Sequence, residues 1–391
     1  MGLNDTPSAE RIHIGFFGVR NAGKSSLVNR IANQQVSLVS DIKGTTTDAV
    51  KKTMELLPLG PVVLIDTAGI DDCGTLGEMR VKATKNILDI CDIAVLVTEN
   101  DTPAPAEKEL TELINSKSIP CLTVRNKCDA VKERKEEIIY VSALTGEGIE
   151  ELKNKLAGIK DLRKKEIRLV SDFIKPGDIV ILVTPIDSSA PKGRMILPQQ
   201  QAIRDIIDNG AVAAVTQPET LRETLDSLNK APALVITDSQ AFGKVMGIVP
   251  ENIPLTSFSI LMARYKGFAD IAVKGAKALA GLKDGDRILV CEGCTHHRQC
   301  EDIGTVKLPA WLKDYTGKDL DFEFTSGHGF PENLSDYDMI IHCGACMLND
   351  NEMLARCRAA QGSNVPMTNY GTAIAEINGI LDRGIQVLNN D

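Results

Sequence analysis

The stretch GVRNAGKS, Gly18 to Ser25, decides the fold. It fits G-x-x-x-x-G-K-[ST] and lies between an apolar run, RIHIGFFG (11–18), and an amphipathic one, KSSLVNRIAN (24–33). A glycine-rich turn between a strand and a helix can aim its backbone N–H groups at phosphate, and the helix adds its positive end. Gly18, Asn21, Ala22 and Gly23 then form the cradle. Lys24 brings positive charge to the outer phosphates, Ser25 offers a hydroxyl to Mg²⁺, and Ser26 lies in the same turn.

Working outward, the next signals sit at the ends of further apolar runs. DTAG, Asp66 to Gly69, closes VVLIDTAG: Asp66 can orient the Mg²⁺ shell and the Gly69 N–H can face a γ-phosphate. NKCD, Asn126 to Asp129, closes IPCLTVRNK. A carboxylate at Asp129 can accept two hydrogen bonds from a guanine edge, which adenine does not offer; Asn126 and Lys127 belong to the same turn. Ser142, Ala143 and Leu144 close EIIYVSA and can present backbone N–H groups to the base. Open α/β sheets bind ligands at these carboxyl ends. Strands alternating with helices of ten or more residues predict a mostly parallel sheet. The reading is therefore α/β: an N-terminal P-loop GTPase domain with a doubly wound sheet, over 1–165, and two smaller α/β domains, 166–282 and 283–391. A single long apolar-striped helix is predicted over 259–282.

These four motifs resemble the translation-factor-related GTPases, above all the branch containing Era and the tRNA-modification GTPase. That resemblance implies that GTTTD (44–48) is the first switch, with Thr46 or Thr47 completing the Mg²⁺ shell. It also implies that Asn21 helps bind K⁺ during GTP hydrolysis. Ile70 follows DTAG where Ras-type enzymes place a water-orienting glutamine. An apolar side chain cannot orient water by hydrogen bonding. The expected hydrolysis of GTP to GDP is therefore slow and dependent on a monovalent cation or on association.

Net charge is −9, which argues against a nucleic-acid platform, and no run reaches the roughly 18 apolar residues of a membrane helix. The opening MGLNDTPSAE lacks the apolar centre of a secretory signal, so the expectation is a cytoplasmic protein with no membrane partner. Its ten cysteines are then thiols, metal ligands or small core residues.

Their placement is uneven. None occurs between Cys128 and Cys291, and no histidine between His13 and His296. CEGCTHHRQC (291–300) and HCGAC (342–346) then crowd thiols and imidazoles together. Two C-x-x-C pairs suggest a four-thiolate zinc site, but the gap from Cys294 to Cys343 far exceeds the ~15–20 residues usual there. A second set takes Cys294, Cys343 and Cys346 with His296 or His342. Three soft thiolates suit an iron–sulfur cluster or zinc equally. Cys291 continues an apolar strand and Cys357 lies on an apolar helix face, so both read as core; His297, Cys300 and His328 read as bystanders.

C-x-H at 294–296 and H-C-x-x-C at 342–346 resemble the signature of the [FeFe]-hydrogenase maturation GTPases, HydF, over the whole chain and in domain order. The resemblance implies a [4Fe–4S] cluster on Cys294, Cys343 and Cys346, with His296 or His342 at an exchangeable fourth position. It further implies a homodimer. By that resemblance, the chain is expected to be a scaffold that receives a transient diiron subcluster made with the radical maturases HydE and HydG and delivers it to apo-[FeFe]-hydrogenase. The competing expectation is an RNA-modification or ribosome-assembly GTPase with an appended zinc module.

Overall fold

The computed structural model describes residues 7–33, 41–42, 50–70, 75–131, 133–135, 138–159, 167–186, 195–293, 302–327 and 329–389. The chain divides into two compact units, Met1–Lys164 and Lys165–Asp391.

In the first unit the elements follow in the order β1 (Ile12–Phe17), α1 (Lys24–Asn33), β2 (Asp41–Ile42), β3 (Val50–Leu56), β4 (Gly60–Asp66) and α2 (Thr75–Ile90). Then come β5 (Ile93–Thr98), α3 (Pro105–Ser116), β6 (Cys121–Arg125), β7 (Ile139–Tyr140) and α4 (Ile149–Ala157). They build one sheet in the order β2-β3-β4-β1-β5-β6-β7. The β2–β3 and β3–β4 pairs are antiparallel and the others parallel. Every residue of β1 and β5 is buried, as expected where helices cover both faces of a parallel sheet. Ile14 and Phe16 face Leu27, Ile31, Leu152 and Leu156 of α1 and α4. Phe17 and Leu96 face Leu88, Leu110 and Ile114 of α2 and α3.

The second unit begins with β8 (Ile179–Val183), α5 (Leu197–Asp208), β9 (Val212–Thr216), α6 (Leu221–Asp226), β10 (Leu234–Thr237), α7 (Phe242–Met246) and β11 (Leu255–Ser257). It continues through α8 (Phe258–Tyr265), α9 (Ala269–Ala278), β12 (Arg287–Glu292), α10 (Leu308–Thr316), β13 (Asp321–Ser326) and β14 (Met339–His342). It ends with α11 (Asp350–Gly362), β15 (Met367–Asn369), α12 (Tyr370–Ile377) and α13 (Leu381–Ile385). Two four-stranded sheets result, β11-β10-β8-β9 and β13-β12-β14-β15. Both are parallel throughout. In each, the chain lays its second strand on one side of the first and its third and fourth on the other. The order therefore reverses between β8 and β10, and again between β12 and β14. The sequence carries no convincing repeat, yet the two sheets share one topology.

The single helix expected over 259–282 is divided. Gly267, at φ +79°, ends α8 in a left-handed turn. Its N–H bonds the carbonyl of Arg264 at 2.9 Å, and the Phe268 N–H bonds that of Ala263 at 2.9 Å. This paired closure is a Schellman stop, and Phe268 and Ala263 share a core cluster beneath it. Continuous apolar periodicity masked the stop because α8 and α9 each bury a stripe. The chain end also returns to the earlier sheet: Thr256 Oγ1 donates to the carbonyl of Gly384 at 2.8 Å.

Helix α9 crosses β15 at Gly275, where an added Cβ would stand 2.0 Å from the Met367 carbonyl oxygen. Gly275→Ala is expected to destabilise the second unit by roughly 1–3 kcal/mol, seen as a lower thermal midpoint in calorimetry. Gly243→Ala, at a helical glycine with open space, should be neutral or stabilising by up to about 1 kcal/mol.

Candidate functional site

The phosphate-type loop leaves β1 through backbone that only glycine adopts easily. Gly18 has φ +148°, and a Cβ there would lie 2.2 Å from the Val97 carbonyl oxygen; Gly23 has φ +84°. Asn21 is exposed in the left-handed region at φ 63°. Ala22 is buried, Ser25 and Ser26 are exposed at the start of α1, and the buried Lys24 donates from Nζ to the carbonyls of Gly18 (3.0 Å) and Val19 (2.8 Å).

Asp66 ends β4 beside this loop. Burial raises its pKa, opposed by a hydrogen bond from Ser25 and by the charges of Lys24 and Lys52. Its Oδ1 is buried and, among the described residues, has no hydrogen-bond partner. An uncompensated carboxylate oxygen next to a serine hydroxyl is a donor set that fits Mg²⁺. Thr67 Oγ1 pins the DTAG turn by donating to the Phe16 carbonyl at 2.7 Å. Gly69 lies so close that a Cβ would meet the Arg20 backbone nitrogen at 2.8 Å. The Ile70 N–H reaches the Gly18 carbonyl at 3.4 Å.

Asn126 joins the motifs. Buried at 2 % exposure, it donates from Nδ2 to the Ala22 carbonyl (2.9 Å) and accepts at Oδ1 from the Ala143 N–H (3.1 Å). Lys127 occupies left-handed backbone and pairs with Glu99. The Ser142 hydroxyl donates to Asp129 Oδ1 at 2.5 Å, and Leu144 is 80 % exposed at the rim. Phosphate-loop, DTAG, NKCD and SAL residues thus meet at one sheet edge. Thr46 and Thr47 lie outside the described residues.

A second constellation occupies the carboxyl ends of β12 and β14, where the strand order of the last sheet reverses. Cys291 is fully buried in the core, and burial pushes its thiol up to about 12. Cys343 follows β14. Its Sγ accepts the Gly293 N–H at 3.0 Å and the Ala345 N–H at 3.4 Å. Burial raises this thiol to about 11 against those two donors, which favour the thiolate. Burial likewise raises Cys346, while the Lys266 ammonium opposes it. Lys266, buried at the end of α8, donates to the Leu348 carbonyl at 2.7 Å and holds the loop after Cys346. Cys357 is core. Cys294, His296, His297, Cys300 and His328 lie outside the described residues.

His342 is fully buried and both ring nitrogens are engaged: Nδ1 with the Cys343 carbonyl at 2.9 Å and Nε2 with Arg356 Nη1 at 2.8 Å. A carbonyl can only accept and a guanidinium only donate, so Nδ1 carries the proton. Burial, then the Arg356 charge, lowers the pKa to about 3, and the ring is neutral. Arg356 also donates from Nη2 to Glu352 Oε1 and to the Gly327 carbonyl, both at 2.8 Å. The sequence reading missed Arg356 and Glu352; their one signal is the i, i+4 pairing within NEMLARCRAA.

Comparison with known proteins finds the hydrogen maturase F dimerization domain over residues 169–267 and the hydrogen maturase F tetramerization domain over 270–387. The chain belongs to the hydrogen maturase F family. A domain described as 50S ribosome-binding GTPase matches residues 13–127. The tRNA modification GTPase MnmE of Legionella pneumophila is 37% identical over 150 residues, 37% of this chain and 33% of that protein. MnmE of Nitrosomonas europaea is 36% identical over 152 residues, 37% of this chain and 34% of that protein. The chain spans about a third of the length of these relatives. Among solved structures, the Aquifex aeolicus Era variant bound to GDP·AlF4⁻ is 19% identical, covering 52% of this chain and 92% of that one, with TM-score 0.32. The G domain of the T. maritima FeoB iron transporter is 21% identical, covering 38% and 97%, with TM-score 0.30. This hydrogen maturase F member thus joins a P-loop GTPase domain to domains of the family's dimerization and tetramerization types. Among the described residues, no helix is long and apolar enough to cross a membrane.

Arg356→Met would remove the guanidinium that pairs with the buried Glu352 carboxylate and leave His342 Nε2 without its donor. A loss of roughly 3–5 kcal/mol is expected in denaturant unfolding of the second unit. Adding Glu352→Gln should recover part of it in a double-mutant cycle.

Proposed function

We propose that this GTPase is a scaffold that holds a [4Fe–4S] cluster on Cys294, Cys343 and Cys346 and passes a diiron subcluster to apo-[FeFe]-hydrogenase. The observation that carries the reading is the Cys343 sulfur, which meets two backbone N–H donors at the point where the last sheet reverses its order. Two N–H···S bonds, with no side-chain hydrogen bond among the described residues, suit a thiolate whose remaining lone pairs go to iron. When bound, the cluster would supply an iron with a replaceable ligand, to which a second iron fragment can be tethered. His296 is the stronger candidate for that replaceable position, because His342 could ligate only by releasing Arg356 or the Cys343 carbonyl. The diiron unit is cargo, built with HydE and HydG. Segments 1–165, 166–282 and 283–391 would serve GTP binding, dimerisation and cluster binding. The edge strand β9, with Val212 54% and Val215 49% exposed, supports pairing of subunits through the second segment.

In the GTPase domain Lys24 would neutralise the outer phosphates, while Ser25 and Asp66, with Thr46 or Thr47, would hold Mg²⁺. The Gly69 N–H would read the γ-phosphate. Ile70 reaches the phosphate loop through its backbone N–H, and its apolar side chain cannot orient water by hydrogen bonding. Slow hydrolysis stimulated by K⁺ at Asn21 follows. Gating of partner binding by nucleotide state, through switches 40–50 and 66–80, is the proposed use of GTP.

Two experiments test this. Asp129→Asn keeps one acceptor and adds a donor, so GTP affinity should fall about 10–150-fold, the equivalent of roughly 1.5–3 kcal/mol, while xanthosine triphosphate binding rises. Unchanged nucleotide preference would reject Asp129 as the base reader. After anaerobic reconstitution, iron, sulfide and EPR signal should be lost or sharply reduced in Cys294→Ser, Cys343→Ser and Cys346→Ser and retained in Cys291→Ser. Loss with Cys291→Ser but not Cys294→Ser would overturn the ligand assignment.

A further inference from the structure

Strand register aligns Cys291, His342 and Asn369 in one row across β12, β14 and β15. One residue further on, at the carboxyl edge, the row becomes Glu292, Cys343 and Tyr370. Tyr370 opens α12 directly after β15. Its hydroxyl is buried and, among the described residues, has no hydrogen-bond partner. The hydroxyl and Glu292 Oε1 converge on Gly304, where an added Cβ would stand 2.2 Å from the first and 2.9 Å from the second. Buried phenols ordinarily find an acceptor. By contrast, the Tyr315 hydroxyl of α10 donates to Glu376 of α12 at 3.4 Å. Burial raises the Tyr370 pKa, so the oxygen keeps its proton and is available as a donor. An orphaned donor beside the thiol of Cys343 is chemistry suited to a sulfur-rich anionic ligand and not to further apolar packing.

We propose that the Tyr370 hydroxyl donates a hydrogen bond to sulfur of a cluster held on Cys343, positioning that cluster and setting its reduction potential. This rests on the cluster reading above. Hydrogen bonds to cluster sulfur are among the levers that set potential, and each stabilises the reduced, more negative form. Tyr370 would then distinguish this edge from a thiol site closed by backbone alone.

The test uses the full chain, reconstituted anaerobically with iron and sulfide. Tyr370→Phe should keep the wild-type iron and sulfide content. Its midpoint in an EPR-monitored redox titration should shift to lower potential, and one exchangeable proton coupling to the cluster should disappear. Tyr315→Phe should change neither. Gly304→Ala, which crowds the hydroxyl while keeping it, should also lower the potential. Without metal, Tyr370→Phe should melt at or above wild type, because it removes an unsatisfied donor. Tyr370→Phe with unchanged potential and unchanged proton coupling would overturn the donor role and leave the cluster reading standing. Wild-type protein that takes up no iron would overturn both.

Discussion

A parallel strand cannot turn directly into its neighbour. The chain must cross the sheet, and the crossing helix must cover a face. Three sheets here obey that constraint, two of them throughout and the first over all but its β2–β3–β4 margin. Faces filled by helices leave little for a ligand to reach except the loops at the carboxyl ends of the strands. The phosphate loop, Asp66, Asn126 and Ser142 sit at such ends in the first sheet, and Cys343 in the third. Binding chemistry is placed by the crossover requirement, and residue type then decides what binds.

Within the first unit Asn126 converts that placement into a single site. It is buried, so its amide must be satisfied, and its two partners are the phosphate loop and the SAL turn. Losing either partner would strand a buried amide group, a cost of about 1–3 kcal/mol. Each half of the pocket therefore stabilises the position of the other. An NKCD motif read only as a base-binding sequence misses this bracing role, which depends on a residue 104 positions away in the chain.

Much of this was legible in the sequence, for a physical reason. Phosphate loops need glycine at fixed backbone angles, and buried parallel strands need unbroken apolar runs, so both leave local signatures. GVRNAGKS, DTAG and NKCD carried the first sheet; HCGAC and the apolar run before Cys291 carried the essentials of the third. What escaped was tertiary. The stop at Gly267 hides inside a continuous apolar stripe because helices on both sides of it bury one. Arg356 and Tyr370 look like an ordinary helix cation and an ordinary aromatic, since their meaning comes from His342 and Cys343 on neighbouring strands. His342 itself belongs to the H-C-x-x-C pattern, yet its ring is spent on hydrogen bonds. A motif fixes spacing and leaves tautomer and partners open.

The shared topology of the two later sheets sharpens the contrast between them. Val183, Thr237 and Ser257 form the row that corresponds to Cys291, His342 and Asn369. Ser257 and Asn369 both cap the helix that follows, accepting from the N–H of Ile260 and of Thr372. One residue beyond, Asp238 stands where Cys343 does. Asp238 accepts from the buried Gln199 amide at 2.8 Å, so that edge satisfies itself with protein groups. At the matching edge of the third sheet, among the described residues, the sulfur of Cys343 meets only backbone N–H groups and the Tyr370 phenol has no acceptor. The same backbone solution is closed in one sheet and chemically unfinished in the other. The stretch without cysteine or histidine between Cys128 and Cys291 is consistent with that division: the earlier sheet needs no soft ligand, because its own side chains complete its edge.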